Sequence, residues 1–320
     1  MRKPQYLKKP ISSVNSLAWI LSTPPNELLK IVKLKEKHYV ISKTAPLKPD
    51  GTRRLAFRVK EPLKRIQKDI VDRIFSEVYF PLYLQGSIRD KSATRDYISN
   101  ARSHAGSEVV LTEDVKNFFP SISEVYVNRM WKHLFNFPRE VSGLLTELTT
   151  FRGCVPQGAS TSSYIGNLIF WDHEPFLEEW LGDQGLFYTR YVDDINISAN
   201  RRLPKEQIKE ITTRIYSMLA QKQITPNRQK RSVKSKSQRM TVNKLNVNCS
   251  RPTLGKQKHS EIRSLVKKLE NMAILARDSE TYKKQYRSVR GKVLTMKRIE
   301  PEKAQPYLDR LTEIKPLINI

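Results

Sequence analysis

Apolar residues recur along the chain with spacings that change from segment to segment, and the changes mark its elements. Between residues 12 and 34, Leu17, Ile20, Leu21, Leu28, Leu29, Ile31 and Val32 are broken by Pro24-Pro25. Two short helices are predicted, the second with Thr23-Pro24 as cap and first turn. Residues 38–41 and 48–59 read as strands joined by an Asp50-Gly51 turn. Over residues 62–79 the apolar positions take helical spacing. The run Val109-Val110-Leu111 predicts a buried strand that ends at Asp114, with two aromatics, Phe118 and Phe119, just beyond it. Residues 124–150 are helical with a break near Asn136-Phe137-Pro138, and residues 164–170 and 205–220 form two further helices. The alternation from Met240 to Asn248 predicts a single strand. After Leu254-Gly255-Lys256 the chain is mostly helical, with Ile262, Leu265, Val266, Leu269, Met272 and Ala273 in one stripe.

Charge narrows the class of partner. With 58 Lys+Arg against 32 Asp+Glu, the net charge is +26 and the pI is near 10.0. Such an excess points to a polyanion, nucleic acid first and an anionic membrane surface second. No apolar run approaches the length of a spanning helix, and the first residues lack the apolar core of a signal peptide. Two cysteines, Cys154 and Cys249, support neither a disulfide framework nor a zinc site, and they suit a reducing cytoplasm. At 320 residues the chain can hold one catalytic unit with subdomains.

Candidate chemistry centres on Tyr191-Val192-Asp193-Asp194, two carboxylates at the tip of an expected hairpin. Alone, such a pair is ordinary turn chemistry. If the strand ending at Asp114 lies beside that hairpin, three carboxylates form one cluster. They can then hold two hard cations that clamp the oxygens of an in-line phosphoryl transfer. The small residues Gly153 to Ser162 precede a helix, so backbone can approach a nucleotide there, or the segment is only a capped helix start. Arg and Lys crowd the turn of the 48–59 hairpin, which reads as a solvated basic hairpin or a phosphate grip.

The segments Asp114-Val115-Lys116-Asn117-Phe118-Phe119, Pro156-Gln157-Gly158 and Tyr191-Val192-Asp193-Asp194, in that order, resemble the A, B and C motifs of reverse transcriptases. Asn100-Ala101-Arg102-Ser103-His104 is similar to the Asn-Ala-x-x-His signature of retron reverse transcriptases, bacterial enzymes that make RNA-linked single-stranded DNA. The resemblance runs from about Lys48 onward. It implies an α+β right-hand polymerase fold with fingers, a palm built on an antiparallel sheet, and a helical thumb. The expected divisions are a helical N-terminal segment at 1–37, interleaved fingers and palm at 38–253, and a basic helical thumb at 254–320. The chain departs from the family at Ser162-Ser163, where Ser-Pro is usual, and at Thr241-Val242-Asn243, where Val-Thr-Gly is usual.

The resemblance also implies roles. Asp114, Val115, Asp193 and Asp194 would hold two Mg2+ ions, and Lys230 would protonate the departing pyrophosphate. Arg54 and Lys48 would bind the triphosphate, Phe119 would exclude the ribose 2′-hydroxyl, and Gln157 would lie by the nascent base pair. Asn100, His104, Arg263, Lys267, Arg287 and Arg290 would contact RNA or DNA. The implied partners are deoxynucleoside triphosphates, a structured noncoding RNA serving as template and primer, its cDNA, and a separate effector protein. The implied setting is cytoplasmic antiphage defence, with a branched product primed from a guanosine 2′-hydroxyl. Two alternatives stand beside this: a non-retron defence reverse transcriptase with different priming, and an RNA-binding scaffold without catalysis.

Overall fold

The computed structural model, described for residues 3–47, 51–90 and 93–317, is α+β and carries a five-stranded sheet. Its strand order is Leu84–Gln85, Phe187–Tyr191, Asp194–Ala199, Val109–Asp114 and Ser232–Ser235. The middle strand is covered on both faces: Ile195, Ile197, Ala199 and Ser198 are wholly buried, and Asn196 nearly so. Its apolar side chains supply the reason these residues settle as strand. Only Val192-Asp193 separates it from Phe187–Tyr191, so those two strands form a tight antiparallel hairpin. The short edge strand differs, pairing in parallel with Leu84 opposite Arg190 and Gln85 opposite Tyr191.

The chain divides into two compact units. The first comprises Met1–Asp96, Leu111–Ile197 and Leu203–Ser232. Its helices follow the apolar spacing: Val14–Ile20 and Pro25–Lys33, then Leu63–Arg73, Glu124–His133, Arg139–Thr149 and Lys205–Ala220. The Leu63–Arg73 helix stops earlier than its apolar stripe suggests, giving way to a 3-10 turn at Phe75–Glu77 and a strand at Val78–Tyr79. Tyr39–Ile41 pairs antiparallel with Phe57–Val59, Tyr39 opposite Val59. The tip of this hairpin, with Lys48 and Asp50 of the expected turn, lies outside the described residues. The Phe57 N–H donates to the Gln157 carbonyl at 2.7 Å, and a Cβ on Gly158 would stand 2.4 Å from the Phe57 carbonyl oxygen. Glycine at 158 is what lets the two backbones meet.

The second unit comprises Tyr97–Val110, Ser198–Arg202 and Val233–Ile320. Helices Lys256–Ala276, Glu280–Ile299 and Pro301–Glu313 close over Ile262, Val266, Leu269, Tyr282, Val289 and Val293. A second core joins Ile98, Ala101 and Ile299 to Met240, Val242, Leu245 and Val247. The C-terminal helices therefore share a unit with residues 97–110 and 233–253, which a boundary at 253/254 separates.

The expected single strand over 240–248 is instead a hairpin, Thr241–Val242 against Leu245–Asn246. Its physical cause is a phase shift. Apolar residues stand at 240, 242, 245 and 247, and the polar pair Asn243-Lys244 breaks the period of two. Both of these residues take left-handed backbone, φ 47° and 66°, as a two-residue hairpin turn requires.

Asn100 and His104 need a correction. Direct nucleic-acid contact is expected of them from the sequence, yet both are wholly buried. The Asn100 amide donates to Asn243 Oδ1 at 2.5 Å, and His104 Nδ1 lies 2.8 Å from Ser198 Oγ. They join the Tyr97–Arg102 helix to the hairpin and the sheet. Burial pushes the His104 imidazole from 6.5 down to about 4. The unfolded chain binds this proton more readily, so the stability that neutral His104 permits is complete above pH 6.5 and is lost as pH falls toward 4. At ~1.4 kcal/mol per pH unit the loss attributable to His104 is roughly 3 kcal/mol. Urea midpoints at pH 7 and pH 4.5 should therefore differ more for the wild type than for His104→Gln.

Candidate active site

The Val109–Asp114 strand and the Phe187–Tyr191/Asp194–Ala199 hairpin end at the same edge of the sheet, which brings Asp114, Asp193 and Asp194 together. Their mutual influence is visible in their titration. Burial, then the charges of Asp193 and Asp114, push Asp194 up to about 7, and Asp194 also shares a hydrogen bond with Asp114. Asp193 is raised by burial and by Asp114, with Lys230 and Arg54 opposing. Like charges so close cannot all ionise cheaply without a compensating cation. The donor set, hard carboxylate oxygens, suits Mg2+. Among the described residues no three His, Cys, Asp or Glu side chains form a ready-made metal cage.

Asp114 is already engaged. Its Oδ2 accepts from the Asn227 amide at 2.8 Å, and its Oδ1 from Lys230 Nζ at 3.1 Å. The backbone fixes this approach: the Asn227 N–H donates to the Asp114 carbonyl at 2.7 Å, the Lys116 N–H to Thr225 at 3.0 Å, and Val115 bridges Pro226. One residue along, Arg231 lies 3.3 Å from the buried Glu113, which also accepts from the Tyr216 hydroxyl at 3.3 Å. Lys230 and Arg231 thus address Asp114 and Glu113 in turn. More than half of the Lys230 side chain stays exposed, so its ammonium remains accessible from solvent.

The turn bearing Asp193 is strained and braced. Val192 has φ 59°, a left-handed conformation that β-branched residues strongly disfavour. Arg190, wholly buried, holds it. Its Nη1 donates to the Val192 carbonyl at 2.9 Å and to the Gly166 carbonyl at 3.0 Å, and its Nη2 to the Asn167 carbonyl at 2.9 Å. Nε and Nη2 form a fork on the Glu174 carboxylate at 2.6 and 2.7 Å. All five guanidinium N–H groups have acceptors. Glu174 accepts in addition from the Tyr188 hydroxyl at 2.7 Å. Beside the turn, the Tyr191 ring lies over Gly86, where a Cβ would stand 2.7 Å from it.

The remaining candidates fall in several places. Arg54 is exposed and close enough to lower the Asp193 carboxyl, whereas its neighbour Arg53 donates to the carbonyls of Lys43 and Ala45. Lys48 lies outside the described residues. Phe119 is half-buried, packed on Phe118 at 5.5 Å and close to Gly166, where a Cβ would stand 3.1 Å from its ring. Gln157 is half-buried in the loop before the Ser162–Leu168 helix. Arg263, Arg287 and Arg290 are exposed on the helices of the second unit, and Lys267 there lies 3.8 Å from Glu270.

The sequence reading omitted Asn227, Glu113, Glu174 and Arg190. Of these, only Arg190 carried a signal, a charged residue inside an otherwise apolar strand. Lysine cannot reproduce its fork. Arg190→Lys is expected to cost roughly 3 kcal/mol in urea denaturation, because a single ammonium leaves buried carbonyls among Val192, Gly166 and Asn167 without donors, and Glu174→Gln a similar amount, because it leaves the buried guanidinium without its counter-charge.

Comparison with known proteins agrees with this geometry. Residues 46–269 match the family model for reverse transcriptase, RNA-dependent DNA polymerase. The chain is 34% identical over 322 residues to the retron Se72 reverse transcriptase of Salmonella heidelberg, covering all of this chain and 84% of that protein. It is 30% identical over 318 residues to the retron Ec48 reverse transcriptase of Escherichia coli, covering 96% of this chain and 77% of that one. Identity to the retron Ec86 reverse transcriptase of the same organism is 24% over 239 residues, 75% of this chain and 71% of that one. A scaffold without catalysis is thereby set aside. The chain belongs to the retron-type reverse transcriptases and is an RNA-directed DNA polymerase.

Proposed function

We propose that this polymerase copies part of a structured noncoding RNA into single-stranded DNA, starting from a guanosine 2′-hydroxyl of that RNA, and that it serves antiphage defence with a separate effector protein. The observation that carries the reading is the meeting of Asp114, Asp193 and Asp194 in a chain whose likeness to retron enzymes runs nearly end to end. Asp114, Asp193, Asp194 and the Val115 carbonyl would hold two Mg2+ ions, which supply charge neutralisation and an activated primer hydroxyl.

The chain's own residues do the rest. Arg54 receives the triphosphate and offsets its charge. Phe119 fills the space a ribose 2′-hydroxyl would need, and Gln157 lies along the nascent base pair. Lys230 leaves Asp114 when substrate arrives and gives a proton to the departing pyrophosphate. That exchange suits a cation that is more than half exposed yet 3.1 Å from the carboxylate. The cationic side chains Arg263, Lys267, Arg287 and Arg290 hold the template–product duplex through its phosphates.

Asp193→Asn together with Asp194→Asn is expected to abolish cDNA synthesis while the circular dichroism of the fold is kept; synthesis by that double variant would refute the metal assignment. Phe119→Ala should raise incorporation of ribonucleotides relative to deoxynucleotides by roughly tenfold or more, read in single-nucleotide extension. Nucleic acid copurifying with the chain should sequence as a branched RNA–DNA hybrid, and a linear product would exclude the 2′-hydroxyl primer.

A further inference from the structure

Trp19 is 83% exposed, while Trp131 is wholly buried and Trp171 and Trp180 are half-buried. A single exposed ring is ordinary at a protein surface, and what sets Trp19 apart is its place in the wall of two clefts. Trp19 stands between two clefts of about 910 and 870 Å³ and lines both, together with Asn15, Ile20 and Arg73.

The element that carries the ring is fixed at both ends. The Ser13 hydroxyl caps the Val14–Ile20 helix by accepting from the Ser16 N–H at 3.1 Å. Beyond the helix, Arg73 donates to the Ile20 carbonyl and to Ser22 Oγ, and the Thr23 hydroxyl donates to the Leu21 carbonyl at 3.0 Å. The ring is therefore presented from a held backbone rather than from a loop tip.

The rim is cationic. Lys8, Lys9 and Arg73 line the 870 Å³ cleft, with Glu77 lying 3.6 Å from Lys8 and Asp69 3.9 Å from Arg73. Asn15, Ser12 and Ser16 add neutral donors and acceptors. An exposed aromatic face with lysines beside it is the composition of a platform for unpaired bases, the ring stacking on a base and the ammonium groups following the phosphates. A protein partner would have to supply acidic side chains for the same lysines and apolar ones for the ring. The nucleic acid this enzyme family uses brings both parts in every nucleotide.

We propose that Trp19, with Lys8 and Lys9, is a stacking site for an unpaired stretch of single-stranded RNA. The inference rests on the family assignment but not on the proposed priming or metal site, and its test is chosen to keep them apart. The full chain carrying Asp193→Asn and Asp194→Asn, in which catalysis plays no part, is titrated with an oligouridylate of about twelve nucleotides while tryptophan emission is followed. The expected result is saturable quenching that disappears in Trp19→Phe; affinity, read separately by fluorescence anisotropy of the end-labelled oligonucleotide, is retained in that variant and lowered about tenfold in Trp19→Ala. Lys8→Ser with Lys9→Ser should flatten the dependence of affinity on salt. Equal quenching in the wild-type position and in Trp19→Phe would overturn the proposal, as would unchanged affinity in Trp19→Ala. A change of oligomeric state in Trp19→Ala, seen by sedimentation with RNA affinity intact, would assign the ring to a contact between protein chains.

Discussion

The ion pair of Arg190 with Glu174 is the constraint on which the edge bearing Asp193 and Asp194 depends. Taking a guanidinium and a carboxylate wholly out of water is costly, and the cost is offset only where geometry is good and every remaining hydrogen-bonding group is satisfied. Here the fork on Glu174 uses two bonds, and the other three go to the carbonyls of Val192, Gly166 and Asn167. The charge pair thus ties the Ser162–Leu168 helix, the start of the Glu174–Asp183 helix and the Asp193 turn to one point. The left-handed backbone at Val192 persists because its carbonyl is held from inside the protein.

Around that fixed turn the electrostatics are unbalanced in a useful direction. Burial and mutual repulsion raise Asp193 and Asp194 together, while Lys230 and Arg54 pull the other way. Asn227 and Lys230 occupy the Asp114 oxygens, so the carboxylate is oriented before any substrate is present. Hydrogen bonds that hold the carboxylate in place cost less than orienting it from solvent.

Much of this was legible in residue order, and the reasons differ by element. Helices whose stripes are uninterrupted, such as Lys205–Ala220, follow directly from period 3.6. The three carboxylates were legible through the order of their motifs, Asp114 closing one strand, Asp193 standing in a turn and Asp194 opening the next strand. The 240–248 hairpin was misread because its polar tip is only two residues long and looks like one imperfect alternation. Asn100 and His104 were assigned to the wrong surroundings: a polar residue type does not reveal whether its partner is solvent, ligand or another buried amide. Glu174 was invisible for the same reason, being an acid in a helix until Arg190 is placed beside it.

The amide contact between Asn100 and Asn243 has a consequence for how this protein can diverge. One partner lies in the Tyr97–Arg102 helix and the other at the left-handed tip of the 241–246 hairpin, so neither position is free to change alone. A residue at 243 must tolerate positive φ and also offer an acceptor inward, two demands that glycine meets only in part. The stretch that matches the retron signature and the stretch that departs from the usual Val-Thr-Gly are therefore halves of a single joint, and a change in one obliges the other to be refitted.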